Sequence, residues 1–150
     1  MFPGFEEEEV IPKKVRYFTL EQANETLPFV RRVVSDIVDA YRKWKEKIYR
    51  FELVAAESDA AEESEEQATL REEIDGIAQR INRFVAELEP VGCVLKGFDD
   101  GLIDFYSKMD GGDVFLCWKL GEDTIEHWHE LDVGFAGRQP FVSSAGKEGG

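Results

Sequence analysis

GLIDFYSKMDGGDVFLCWKLGEDTIEHWHELDVGFAGR, residues 101–138, decides the fold. Apolar and polar residues alternate with a period of two, and the alternation is cut at Asp110-Gly111-Gly112 and Gly121-Glu122-Asp123. LIDFYSKM (102–109), DVFLCWKL (113–120) and TIEHWHEL (124–131) therefore read as strands, rich in β-branched and aromatic residues between turn formers. The last of these also admits a short helix, but the regular spacing of turns favours a strand. VGCVLKGF (91–98) is another strand candidate, joined to 102–109 through Asp99-Asp100-Gly101. The expectation is an antiparallel meander of three to four strands.

Ahead of Pro90 the period is helical. Thr19 with Gln22 is a capping-box pattern, and Phe18 is placed to act as its hydrophobic staple. Leu27, Val30, Val34, Ile37, Tyr41, Trp44, Ile48 and Phe51 follow in steps of three and four, an a/d seam. Pro28 removes a donor inside this stretch and predicts a kink or restart. Leu70, Ile74, Ile77, Ile81, Phe84 and Leu88 form a second seam, which Glu89-Pro90 ends. Two seams of similar length, each about 35 Å, separated by the acidic stretch AAESDAAEESEE (55–66), predict an antiparallel hairpin with a solvated tip. Basic residues on the first helix and acidic ones on the second favour the pairing.

The fold class is thus α+β: a long antiparallel two-helix hairpin packed on a small antiparallel sheet. The domain reading is a flexible arm at 1–16, a single domain at 17–140 (hairpin 19–89, sheet 91–131) and a disordered tail at 141–150. A formal net charge of −14 disfavours nucleic acid and anionic membranes as partners. No apolar run approaches bilayer length, and MFPGFEEEEV lacks the basic and apolar regions of a signal peptide. Cys93 and Cys117 have no metal-knuckle or redox spacing and read as reduced thiols. A cytoplasmic protein is expected.

Register decides which side chains meet. With Asp110-Gly111 as a two-residue loop, Ser107 faces Val114, Phe105 faces Leu116 and Asp104 faces Cys117. Ile103, Phe105, Val114, Leu116 and Trp118 then form the face that packs on the helices. With a three-residue loop at 121–123, Cys117 faces His127 and Phe115 faces His129, so Asp104, Cys117 and His127 share the other face in one row. A two-residue loop would turn the histidines to the core instead. Carboxylate, thiolate and imidazole are all zinc ligands, so Asp104, Cys117, His127 and His129 are the candidate metal set, with a divalent metal such as zinc as the candidate cofactor. Glu122 in its turn and the glycine-flanked Arg138 are further candidates, Arg138 either as an anion clamp or as an anchor for the C-terminal segment.

The stretch 101–140 and the opening YFTLEQANETLP (17–28) resemble a bacterial domain-of-unknown-function family, number 2203, over residues 17–140. The shared pattern comprises Gly101, Asp104-Phe105, Leu116-Cys117-Trp118, Gly121-Glu122, Trp128-His129-Glu130, Gly134 and Arg138. His127 is outside it, so the resemblance gives weight to Asp104, Glu122, His129 and Arg138 as the ligand-binding set. It implies no reaction, and there is no phosphate loop, GxSxG or HExxH motif. Two functions are expected from different classes. One is an interaction or scaffold protein, a homodimer through its helical seams or a binder of another protein. The other is a small-ligand or metal-dependent enzyme using the sheet face.

Overall fold

The computed structural model describes residues 9–58 and 61–141. The expectations for arm residues 1–8, for Asp59 and Ala60 at the tip and for the tail from Val142 lie outside the described residues.

Two helices, α1 (Leu20–Ala56) and α2 (Glu65–Leu88), precede five strands: β1 (Val94–Gly97), β2 (Leu102–Met109), β3 (Gly112–Lys119), β4 (His127–Glu130) and β5 (Gln139–Pro140). The strands pair antiparallel in the order β1-β2-β3-β4-β5. The fold is α+β with a five-stranded meander, not one of the expected three to four strands. β5 was missed because two residues carry no periodicity. Its Pro140 is tolerated because β5 is an edge strand.

Both helices start on a complete capping box, Thr19 with Gln22 and Ser64 with Gln67. α1 does not restart at Pro28: it runs unbroken for 37 residues, about 55 Å, against 24 for α2. The seams are therefore unequal. Pro28 is exposed while Ala23, Leu27, Val30, Val33 and Val34 around it are buried. Packing of that face outweighs the one missing backbone hydrogen bond.

α1 has two neighbours, and so buries a wider stripe than an a/d seam: Val33, Val38 and Ala40 join the predicted residues. Lys47 pairs with Glu73 at 3.0 Å and Arg50 with Glu66 at 3.8 Å across the hairpin, both exposed and each contributing a fraction of a kcal/mol. Toward the sheet, Val34 and Val38 press on Gly101, where a Cβ would stand 2.8 Å from Val34 Cγ1. Ile103, Phe105, Leu116 and Trp118 face this core with Leu95 and Ile125. Phe18 lies edge-on against Phe105, and its carbonyl accepts the Ser107 hydroxyl at 2.6 Å, so the start of α1 is fastened to the middle of β2.

The β2–β3 turn is Asp110 (φ 52°) and Gly111 (φ 83°), the left-handed pair that a two-residue type I′ hairpin needs. It sets the register: Asp104 opposite Cys117, Phe105 opposite Leu116 and Ser107 opposite Val114. β4 covers only His127–Glu130 of the segment read as a strand over 124–131. The residues before it are held by α1: Ile125 N–H donates to Asn24 Oδ1 at 2.8 Å, and Arg31 donates to the Asp123 carbonyl at 2.8 Å. Val10, ahead of α1, forms a bridge with Leu95 of β1.

Candidate functional site

Strand alternation puts Asp104, Cys117 and Phe115 on the sheet face opposite the core. Along that face the pairings run Asp104–Cys117–His127 in one row and Tyr106–Phe115–His129 in the next. A strict row would join His127 to Asp104 and Cys117. The contact made is diagonal instead: His129 reaches across β3 to Asp104. Donor atoms of Asp104, Cys117 and His129 all lie within 4.8 Å of one another, and His127 is not among them. The right-handed twist of the sheet brings such diagonal neighbours together.

The three side chains belong to residues 3%, 1% and 1% exposed. His129 Nδ1 is 2.8 Å from the Glu130 carbonyl. A carbonyl only accepts, so Nδ1 carries a hydrogen. That leaves Nε2 directed at both carboxylate oxygens of Asp104, 3.2 and 3.1 Å away. In neutral imidazole Nε2 is then a lone pair, and it faces lone pairs; a positive centre, proton or metal, must sit between them. Burial raises the Asp104 carboxyl above its ordinary range, opposed by the charges of His129 and Lys96. Burial likewise pushes the Cys117 thiol up to about 12, helped by the Asp104 charge and opposed by Arg138. The Cys117 thiol therefore holds its proton near neutrality until something displaces it.

Lys96 is on this face by the same alternation, one residue past the core-facing Leu95. Leu95 pairs with Ile103 and Gly97 with Leu102, so Lys96 is the extra residue on β1. Its ammonium stands 3.7 Å from Asp104 Oδ2, 3.5 Å from Glu9 and 4.8 Å above the Phe115 ring. A cavity of about 190 Å³ opens here, lined by Glu9, Lys96, Leu102, Asp104, Cys117, His129, Gly134 and Phe135. Sequence reasoning missed Lys96, Glu9 and Phe135. Only the isolated Gly97 inside a strand pattern signalled the bulge.

Glu122 and Arg138 stand beside the cluster and engage each other. Arg138 donates to Glu122 Oε2 at 2.5 Å and Oε1 at 3.3 Å, and Oε1 also accepts Lys119 N–H at 2.9 Å. The Glu122 carbonyl accepts the Trp118 indole N–H at 2.9 Å. Burial works against ionisation of Glu122, but Arg138 and the Lys119 amide outweigh it and hold the carboxyl below its ordinary value. Arg138 also reaches Cys117 Sγ at 3.9 Å and covers the Phe135 ring at 4.2 Å. The pair fixes the 3-10 turn at Phe135–Gly137 over the sheet face. His127 keeps a buried Nδ1 with no hydrogen-bond partner among the described residues.

No curated protein and no solved structure matches the chain. A family model does, across residues 16–141, which span the capped start of α1, the hairpin and the whole sheet. By that match the chain belongs to the family described as uncharacterized conserved protein (DUF2203).

Proposed function

We propose that the chain binds a divalent metal of the zinc type through Asp104, Cys117 and His129. The observation that carries this reading is His129 Nε2 facing both Asp104 carboxyl oxygens with the Cys117 sulfur alongside. Tetrahedral zinc, with bonds of about 2.0–2.3 Å, holds neighbouring donors roughly 3.3–3.7 Å apart. The Asp104–His129 separation of 3.1 Å nearly meets that spacing, and the sulfur lies no more than 4.8 Å from either donor, so it has at most about 1.5 Å to close. The Nδ1–H bond to Glu130 is the outer contact that orients a ligating imidazole. Three protein ligands suit a site that keeps a position for water or a substrate, whereas structural zinc takes four. The reading thus favours a small-ligand or metal-dependent activity over a scaffold role for the sheet. Free Cys93 and Cys117 fit a reducing compartment such as the cytoplasm, where a ligating thiol stays available.

The test is metal analysis of untagged protein, followed by zinc titration of the wild type and of Cys117→Ser. Stoichiometric binding that the serine variant loses supports the site. A metal-free protein whose melting is indifferent to zinc leaves a buried hydrogen-bond network and defeats the reading.

A second observation favours self-association. Toward the far end of α1 the seam residues Ile48 and Phe51 are half-buried, and beside the seam Tyr49 and Leu53 are 65% and 47% exposed. Glu46, Lys47 and Arg50 flank the same shallow groove. A two-fold axis sets such a patch against its own copy, and with Tyr49 and Leu53 exposed there we propose a homodimer through this end of the hairpin. No helix is long and apolar enough to cross a membrane among the described residues.

A further inference from the structure

The cavity beside the three donors has one cation that the metal reading leaves unused. Lys96 lines it from β1, and its ion-pair partners are Asp104, at 3.7 Å, and Glu9, at 3.5 Å. Asp104 is buried and committed to the cluster, whereas the Glu9 side chain is 52% exposed, so water can replace it. A divalent ion held by one carboxylate, one thiolate and one neutral imidazole carries no net charge. The neighbouring ammonium then makes the site positive by one unit whenever Glu9 withdraws. Arg138 does not add to this, because Glu122 neutralises it.

Size and lining narrow the ligand further. A volume of about 190 Å³ falls below the range of drug-sized pockets. At about 30 Å³ per water it holds roughly six non-hydrogen atoms. Leu102 and Phe135 form an apolar wall, and Phe135 is pinned by Arg138. A hydrated dianion such as phosphate finds one cation and a greasy wall; a short carboxylate finds a charge partner for its head and cover for its tail.

Resting on the metal reading, we propose that the open coordination position takes a small monocarboxylate. One oxygen binds the metal, Lys96 holds the other in exchange for Glu9, and the alkyl part lies against Leu102 and Phe135. Lys96 and Glu9 act in opposite directions: the first attracts the ligand and the second competes with it.

The probe is the protein loaded with cobalt(II), titrated with acetate and then butyrate at fixed pH. A thiolate-to-cobalt charge-transfer band reports the metal site itself, and the d–d bands report the open position. Saturable d–d changes are expected with both acids, butyrate binding about tenfold more tightly because two more methylenes are buried. Lys96→Met is expected to weaken butyrate at least tenfold with cobalt still bound, Lys96→Arg to restore most of it, and Glu9→Gln to tighten it several-fold. Cobalt bound through the thiolate with d–d bands that ignore both acids would overturn this inference and leave the metal reading standing. Absence of the charge-transfer band would overturn both. Butyrate affinity unchanged in Lys96→Met, or lowered in Glu9→Gln, would overturn the roles given to those residues.

Discussion

His129 Nε2 lies 3.1 and 3.2 Å from the two carboxylate oxygens of Asp104, although β3 separates the strands that carry them. Either a proton or a metal resolves that contact, and the two outcomes differ in measurable ways. Zinc at a hundred times its dissociation constant is expected to stabilise the wild type by about 2.7 kcal/mol. His129→Ala should abolish that gain and lower the metal-free melt by about 1–3 kcal/mol, since Asp104 loses a buried partner. A wild-type melt unmoved by zinc, with the same drop in the mutant, would leave the proton as the answer.

Metal affinity should rise with pH. Burial raises the Asp104 carboxyl, and it raises the Cys117 thiol to about 12. Binding must release the thiol proton at any pH near neutrality, so affinity should climb about tenfold per pH unit for each proton displaced. Isothermal titration in buffers of different ionisation enthalpy counts those protons. A pH-independent affinity would mean that Cys117 is not a ligand.

The Glu122–Arg138 pair predicts a pH effect of the same sign, on folding rather than on metal binding. A carboxyl whose folded pKa is lowered adds stability above its unfolded pKa, about 4.3, and that stability is lost as pH falls through the folded value. Glu122→Gln should therefore cost about 1–3 kcal/mol at pH 7. The gap to wild type should narrow below about pH 4. Thermal melts at both pH values decide it; a gap that persists in acid would make the loss steric rather than ionic.

Replacing residues 58–62 with a flexible linker of similar length should change stability by less than about 1 kcal/mol. Ser64 must be kept, because its hydroxyl caps α2 through Gln67. Ser64→Ala alone should cost about 1 kcal/mol. Urea melts of the two variants compare tip and cap directly, and a larger loss from the linker would show the tip to be packed.

Light scattering at micromolar concentration should report a dimer, and Leu53→Lys should shift it to monomer with little change in a metal-free melt. Leu53 is 47% exposed, so the charge has water to enter within one chain but not within an interface. A wild-type monomer at high concentration would dispose of the assembly.

Where local chemistry dictates structure, the sequence was readable. Thr19-Gln22 announced the start of α1, and Asp110-Gly111 announced both the hairpin and the register that pairs Asp104 with Cys117. Pro28 misled because its cost is local while the packing that overrides it comes from buried α1 residues distant in sequence from their partners. The choice of His129 over His127 depends on sheet twist, which no period-two pattern encodes. Lys96 does follow the period-two pattern, one residue past the core-facing Leu95, but a lone lysine on a four-residue strand matches no motif.

The type I′ turn at Asp110-Gly111 lies six residues from Asp104 along β2, about 20 Å at the rise of an extended strand. Every residue between is locked in step by the β2–β3 ladder. A slip of one position at the turn would carry through that ladder and bring Cys117 opposite a core residue in place of Asp104. The donor set is therefore governed remotely, by two residues that touch none of its atoms. Lesions at the tip of this hairpin would count as lesions of the binding site.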